Sequence, residues 1–168
     1  FDAAFVNKEK KLMSQNLEGM LASLGQPGLN VAKAERFYVP VYTRYLSVDS
    51  DSSRAKSIYV KLFNAQFDKG EIDNAEDTME RFAGKFPDDY VTQEGMLAKV
   101  MEHYRKKKDY GKVKAYVAAI NSGKYKVSKK YAEALRSLMT KIQIEGVQQS
   151  LERGDKDLAL KGYHQIYK

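Results

Sequence analysis

Five carboxylates crowd into one short stretch: Glu71, Asp73, Glu76, Asp77 and Glu80. Two carboxylates can divide acid and base roles only where an apolar setting raises the pKa of one of them. Nothing apolar in this helical pattern does so. Negative charge at a helix N-terminus is favourable by about 0.3–1 kcal/mol per group, so the cluster reads as a helix start. The run Asp49-Ser50-Asp51-Ser52-Ser53 begins like a calcium loop. Such a loop needs glycine at its sixth position and glutamate at its twelfth, where this chain has Arg54 and Val60. His103 and His164 are the only histidines and stand far apart, and there is no cysteine. Thiolate metal sites, thiol nucleophiles and disulfides are thereby excluded, and no zinc-type histidine pair shares a helix face. The chain also has no glycine-rich phosphate loop and no serine nucleophile elbow. The expectation is a protein that is not an enzyme and that carries no metal or cofactor.

Positive charge is the uneven feature. Between residues 100 and 130 stand Arg105, Lys106, Lys107, Lys108, Lys112, Lys114, Lys124, Lys126, Lys129 and Lys130 against only Glu102 and Asp109, a net +8 in a chain whose total is +7. A concentrated patch of this kind attracts an acidic protein, a nucleic acid or an anionic surface, although many such runs are simply solvated helix faces. Tyr104, Tyr110, Tyr116 and Tyr125 are interleaved with the lysines, as base-stacking residues would be. Tyr104 and Tyr116, however, fall at apolar helical positions. Arg105 is the sole arginine of the segment, so bidentate contacts to phosphate or guanine are poorly supplied, and nucleic acid is the less favoured partner.

The elements that position these groups are helices. Apolar residues make up 43% of the 168-residue chain and charged ones 30%, with three prolines, which suits a folded, helix-rich domain. No stretch alternates apolar and polar residues as a strand would, and no apolar stretch approaches the roughly 18 residues needed to span a bilayer. Helical periodicity predicts a first helix over 2–24, ended by Gly25-Gln26-Pro27-Gly28, with Asn30 as cap for a second that carries Ala34, Phe37, Tyr38, Val41, Tyr42 and Tyr45 on one face. Pro40 inside that helix removes one hydrogen bond and predicts a kink. After a polar break at 47–53, with Asp51 or Ser52 as cap, helices are expected at 53–68, 71–85, 90–107, 110–121, 128–152 and 155–167. Short connections make such neighbours antiparallel. The breaks at Gly70, Lys108 and Gly154 are 38 and 46 residues apart, periods typical of stacked helix pairs. The fold expected is therefore all-α: one helical-repeat domain over 1–168, with units near 1–49, 50–89, 90–127 and 128–168. A start at Phe1 and a stop at Lys168 within a helical pattern add the expectation of a domain excised from a longer chain.

Within this series the segment 53–89 resembles a tetratricopeptide repeat. Tyr59 stands at the first large aromatic of that pattern, Leu62 and Ala65 follow it, Gly70 takes the turn, Ala75 is the small contact residue and Pro87 the terminating proline. Phe63 and Phe82 depart from the pattern, each occupying a place usually held by a small residue. Degenerate copies lie around Leu97, Val100, Tyr104, Asp109 and Val113, and around Gly154, Ala159 and Tyr163. The stretch from Gly70 to Asp89 is similar in phrasing to repeats of bacterial envelope proteins, which implies a periplasmic or envelope location. The resemblance implies a right-handed superhelix of about four pairs, an α-solenoid whose first helices line a concave, peptide-binding face.

Carried over residue by residue, the repeat pattern puts Val60, Lys61, Asn64, Phe67 and Asp68 on that face from one pair, Lys99, Glu102, Arg105 and Lys106 from the next, and Lys141, Ile144, Glu145, Gln148 and Leu151 from the last. Of these, Lys61, Asn64, Phe67, Lys99, Glu102, Arg105, Lys106 and Gln148 are the candidate partner-binding residues. Asn64 matches one position of the lysine–asparagine clasp by which family members hold a peptide carboxylate. Lys61 is displaced by one residue and the second copy lacks the asparagine, so no clasp is expected. Three readings of function follow: a non-catalytic scaffold for a protein or peptide, with an acidic one favoured; an electrostatic binder of nucleic acid or an anionic surface through 100–130; and a regulatory or targeting arm of an enzyme elsewhere in a longer chain.

Overall fold

The structure is a computed structural model that describes residues 3–24 and 31–166. Those residues form eight helices and no strand: α1 (Ala3–Leu24), α2 (Val31–Val48), α3 (Ala55–Asp68), α4 (Ile72–Lys85), α5 (Tyr90–Lys106), α6 (Tyr110–Asn121), α7 (Lys129–Glu152) and α8 (Lys156–Ile166). Six of the expected helices, from α3 onward, begin and end within two residues of their sequence-based limits. The expected stop at 25–28 and the cap at Asn30 lie outside the described residues, as do the side chains of Phe5, Val6, Leu21, Leu24 and Ala34. The chain divides into two compact units, Phe1–Pro87 and Asp88–Lys168.

In the first unit α1 packs on α2, α2 on α3 and α3 on α4. α2 runs through Pro40, which is exposed on its surface. The core of the unit is built from rings. Tyr59, Phe82 and Phe86 form a triangle with centroids 5.0 to 6.1 Å apart, within the range where edge-to-face contact adds to simple burial. Phe82 and Ala75 have no exposed surface. Phe63, the other large residue at a small position, is also buried and stacks on Phe67 at 5.8 Å. These aromatics thus replace close backbone contact with ring packing. Thr78 is buried as well, and its hydroxyl donates to Gln66 Oε1 at 2.7 Å, which satisfies both polar groups inside an apolar layer.

One local expectation fails here. Arg54, and neither Asp51 nor Ser52, occupies the N-cap of α3, and it makes no side-chain cap bond. The carboxylate of Asp51 is taken by Lys85 of α4, and the Ser52 hydroxyl donates to the Asp49 carbonyl. The Ser52 carbonyl instead accepts from the Ala55 amide at 3.0 Å, so a tight backbone turn starts the helix.

In the second unit α5 packs on α6, α6 meets α7, and α7 packs on α8. Three helices start with side-chain caps, each oxygen satisfying one orphan amide: Asp89 accepts from Thr92, Asp109 from Lys112 and Ser128 from Tyr131. The core holds Met96, Leu97, Val100, Met101 and Tyr104 from α5, Val113 and Ile120 from α6, and Leu135, Ile142 and Val147 from α7. Buried Gln93 accepts from the Lys126 amide at 3.2 Å, and Glu94 accepts from the Ser128 amide, so α5 ties down the segment leading into α7. α8 is covered less: Ala159 is buried while Leu158, Leu160 and Tyr163 are exposed. A methyl group placed on Gly162 would clash with the Val147 side chain, so α8 approaches α7 closely there.

Candidate functional site

Each unit carries a groove, lined in part by Lys61, Asn64 and Asp68 in the first and by Glu102 and Arg105 in the second. In the first, Tyr38 and Tyr42 of α2 face Lys61, Asn64, Ala65 and Asp68 of α3, with Lys69 just beyond, around a volume of about 380 Å³. The two tyrosines are one helical turn apart and stack at 5.8 Å with planes 8° from parallel. Burial pushes the Tyr42 hydroxyl above its usual pKa, and Tyr38 adds to the shift, so the ring stays neutral. Lys61 and Asn64 are therefore brought together. Phe67 belongs to the ring stack with Phe63. The tyrosine pair was legible as an apolar series but not as a lining: the i, i+4 spacing gives a shared face without saying what stands opposite.

The second groove, about 220 Å³, lies between α5 and α7. Ala98 and Met101 of α5 with Tyr131, Ala134, Leu135 and Leu138 of α7 make its apolar walls, and Glu102 and Arg105 make its rim. Arg105 grips Glu102 with two hydrogen bonds, Nε to Oε2 at 2.7 Å and Nη2 to Oε1 at 2.8 Å. The guanidinium holds the Glu102 carboxyl below the usual carboxylate range, and Glu102 in turn raises Arg105. Lys106 Nζ reaches the same carboxylate at 3.8 Å. Along α7, Ile144 and Leu151 are 39% and 47% exposed, and Lys141, Glu145 and Gln148 are exposed with them. The residues carried over to that helix thus occupy an open apolar and polar face. Lys99 is exposed on α5. Tyr131 is the groove's most perturbed group: burial, with Glu94 nearby, pushes its hydroxyl up to about 12.

The basic segment is divided by the fold. α6 has 12 residues, about 18 Å at the helical rise, and separates two clusters. At the α5–α6 turn are Arg105, Lys106, Lys107, Lys108 and Lys112; beyond the far end of α6 are Lys124, Lys126, Lys129 and Lys130. In the second cluster Lys126 pairs with Asp88 at 2.8 Å and Lys124 lies over the Tyr125 ring. Tyr104, Tyr116 and Tyr125 form a ring ladder with centroids 6.3 to 6.4 Å apart. Tyr104 and Tyr125 are buried within it, so they present no open stacking platform.

Glu71 of the acidic cluster and Asp49 of the 49–53 run have structural partners. Asp49 accepts from buried Ser14 at 3.0 Å, and Glu71 accepts from Asn74 at 3.3 Å. Among the described residues no group of three or more acidic, histidine or cysteine side chains is placed to hold a metal ion, and no helix is long and apolar enough to cross a membrane. No family model, no curated protein and no solved structure matches this chain.

Proposed function

We propose that the chain is a tetratricopeptide-like, non-catalytic scaffold that holds a peptide or protein segment along its first helices. The observation that carries this reading is the groove between α5 and α7. Its walls are apolar, its rim is an ion pair already satisfied within the protein, and exposed Ile144 and Leu151 continue the α7 side. A peptide laid there gains apolar burial at about 25 cal/mol per Å². It does not have to desolvate an unpaired charge, the usual penalty at such rims. The groove of the first unit, with its stacked tyrosines and Asn64 amide, offers a second contact of the same kind. A regular superhelix of successive pairs is part of this proposal.

The test is selection of peptides from a random display library on the immobilised chain. Enrichment of sequences with spaced apolar residues is expected, and Leu138→Glu, which puts a charge into the groove wall, should abolish their binding while the helical circular dichroism persists. Failure to enrich any sequence, or undiminished binding by the Leu138→Glu chain, overturns the reading.

A further inference from the structure

Four helix-ending turns share one hydrogen-bond pattern. The amides of Glu71, Asp109, Lys124 and Asp155 each donate to the carbonyl five residues back, at 2.9 to 3.0 Å. This closure needs a residue with positive φ just after the helix. Three of the turns supply glycine: Gly70 at +79°, Gly123 at +81° and Gly154 at +81°. The fourth, between α5 and α6, has Lys108 at +58°, the one non-glycine residue of positive φ among those described. A side chain there is strained where glycine is not. Folding alone would favour glycine, so the lysine calls for a reason outside folding.

Its surroundings supply one. Lys106, Lys107, Lys108 and Lys112 are all exposed around this turn. The nearby carboxylates are engaged: Glu102 with Arg105 and Lys106, Asp109 with the Lys112 amide, Glu145 with the Tyr110 hydroxyl at 2.9 Å. Among the described residues no acidic side chain pairs with Lys107 or Lys108. The Tyr110–Glu145 bond joins the turn to α7 next to exposed Ile144.

We propose that the α5–α6 turn, through Lys107 and Lys108, is the charge-selecting end of the α5–α7 groove and recruits an acidic peptide segment. This rests on the peptide-binding reading and adds the partner's charge. It also moves the selecting cations from Arg105 and Lys106, which share the Glu102 carboxylate, to the turn. The local chemistry argues for carboxylates. Arg105, the only arginine between residues 100 and 130, is committed to Glu102, and Tyr104 and Tyr125 are buried, so they offer no open faces to bases. Residues 106–112 offer no exposed apolar side chain that could enter a bilayer surface, as interfacial binding requires.

The test uses two labelled peptide pools with identical apolar positions, one carrying glutamate and the other glutamine at the remaining positions. The unmodified chain should bind the glutamate pool more tightly, with affinity falling as salt is raised. Lys107→Ala with Lys108→Gly should weaken the glutamate pool about threefold to tenfold and leave the glutamine pool unchanged. Lys108→Gly alone should raise the thermal midpoint by about 2–4 °C while lowering affinity for the glutamate pool. Gained stability with lost binding is a signature that a purely structural lysine would not give. Equal binding of both pools overturns this inference and leaves the peptide-binding reading standing; binding of neither overturns both. Preference for phosphatidylserine vesicles or for a single-stranded oligonucleotide over the glutamate pool, lost in the double variant, would reassign the turn to that partner and overturn the proposal.

Discussion

The α3–α4 pair and the α5–α6 pair have the same outline and are held together differently. In the first, the turn has the glycine its backbone geometry asks for, and three aromatic rings close the helices over a fully buried Ala75. In the second, the corresponding turn has a strained lysine, and a half-open tyrosine ladder stands where the ring triangle was. The first pair is optimised for packing. The second gives up local stability at the turn and spends its surface on charge and on an apolar groove. One helical outline therefore closes over a ring core in one place and over a half-open tyrosine ladder with a charged turn in the other.

The sharpest way to break that comparison is to empty the ring core. Phe82→Ala removes a side chain with no exposed surface from the triangle and should cost about 3–5 kcal/mol. Tyr116→Ala removes a half-buried ladder ring and should cost about 1–2 kcal/mol. Urea unfolding of both variants measures the difference. Equal losses would mean that the two pairs are packed alike.

A smaller effect is expected from overfilling small contacts. Ala75→Leu should overpack the α3–α4 interface and cost about 1–3 kcal/mol. At Gly162 in the second unit a methyl group collides with Val147. There the gain of about 1 kcal/mol in helix propensity offsets part of the clash, so Gly162→Ala should lower stability by about 1 kcal/mol. Thermal midpoints distinguish the two, and an unchanged midpoint for Ala75→Leu would show that this residue is not at the helix contact.

The smallest expected change is a pH dependence confined to the second unit's groove. Tyr131 is raised to about 12 from an unfolded value near 10. The neutral hydroxyl is favoured in the fold, so its contribution is fully present below about pH 10 and is lost as pH rises toward 12. Tyr131→Phe should therefore flatten the decline of the thermal midpoint over that window relative to the unmodified chain. An identical decline in both would place the alkaline sensitivity elsewhere, for example at Tyr42 or Tyr110, which are also shifted upward.

Much of the architecture was legible because it is local. Apolar spacing and the glycines at the Gly70 and Gly154 breaks act within four or five residues, and they marked the helices from α3 onward and their short joins, whereas the caps Asp89, Asp109 and Ser128 emerged from the structure. The burial of Ala75, Phe82 and Tyr104 followed from the same periodicity. Less of the site could be read. Lys61, Asn64, Glu102 and Arg105 line grooves in the structure, but which side chains stand opposite them, Tyr38 and Tyr42 in one unit and Tyr131 to Leu138 in the other, is set by how the helices pack.

What the sequence determined by itself was the helical class, the positions of the turns and the sign of the charge between residues 100 and 130. What only the tertiary structure decided was which groups meet. Asp51 leaves the cap of α3 for Lys85, 34 residues away. α6 divides one basic segment into two clusters, and Glu102 silences Arg105 while Lys107 and Lys108 keep their charge exposed. The physical reason is range. A backbone turn or helix is set by hydrogen bonds a few residues long, whereas an ion pair or a groove wall is set by the packing that brings distant helices together.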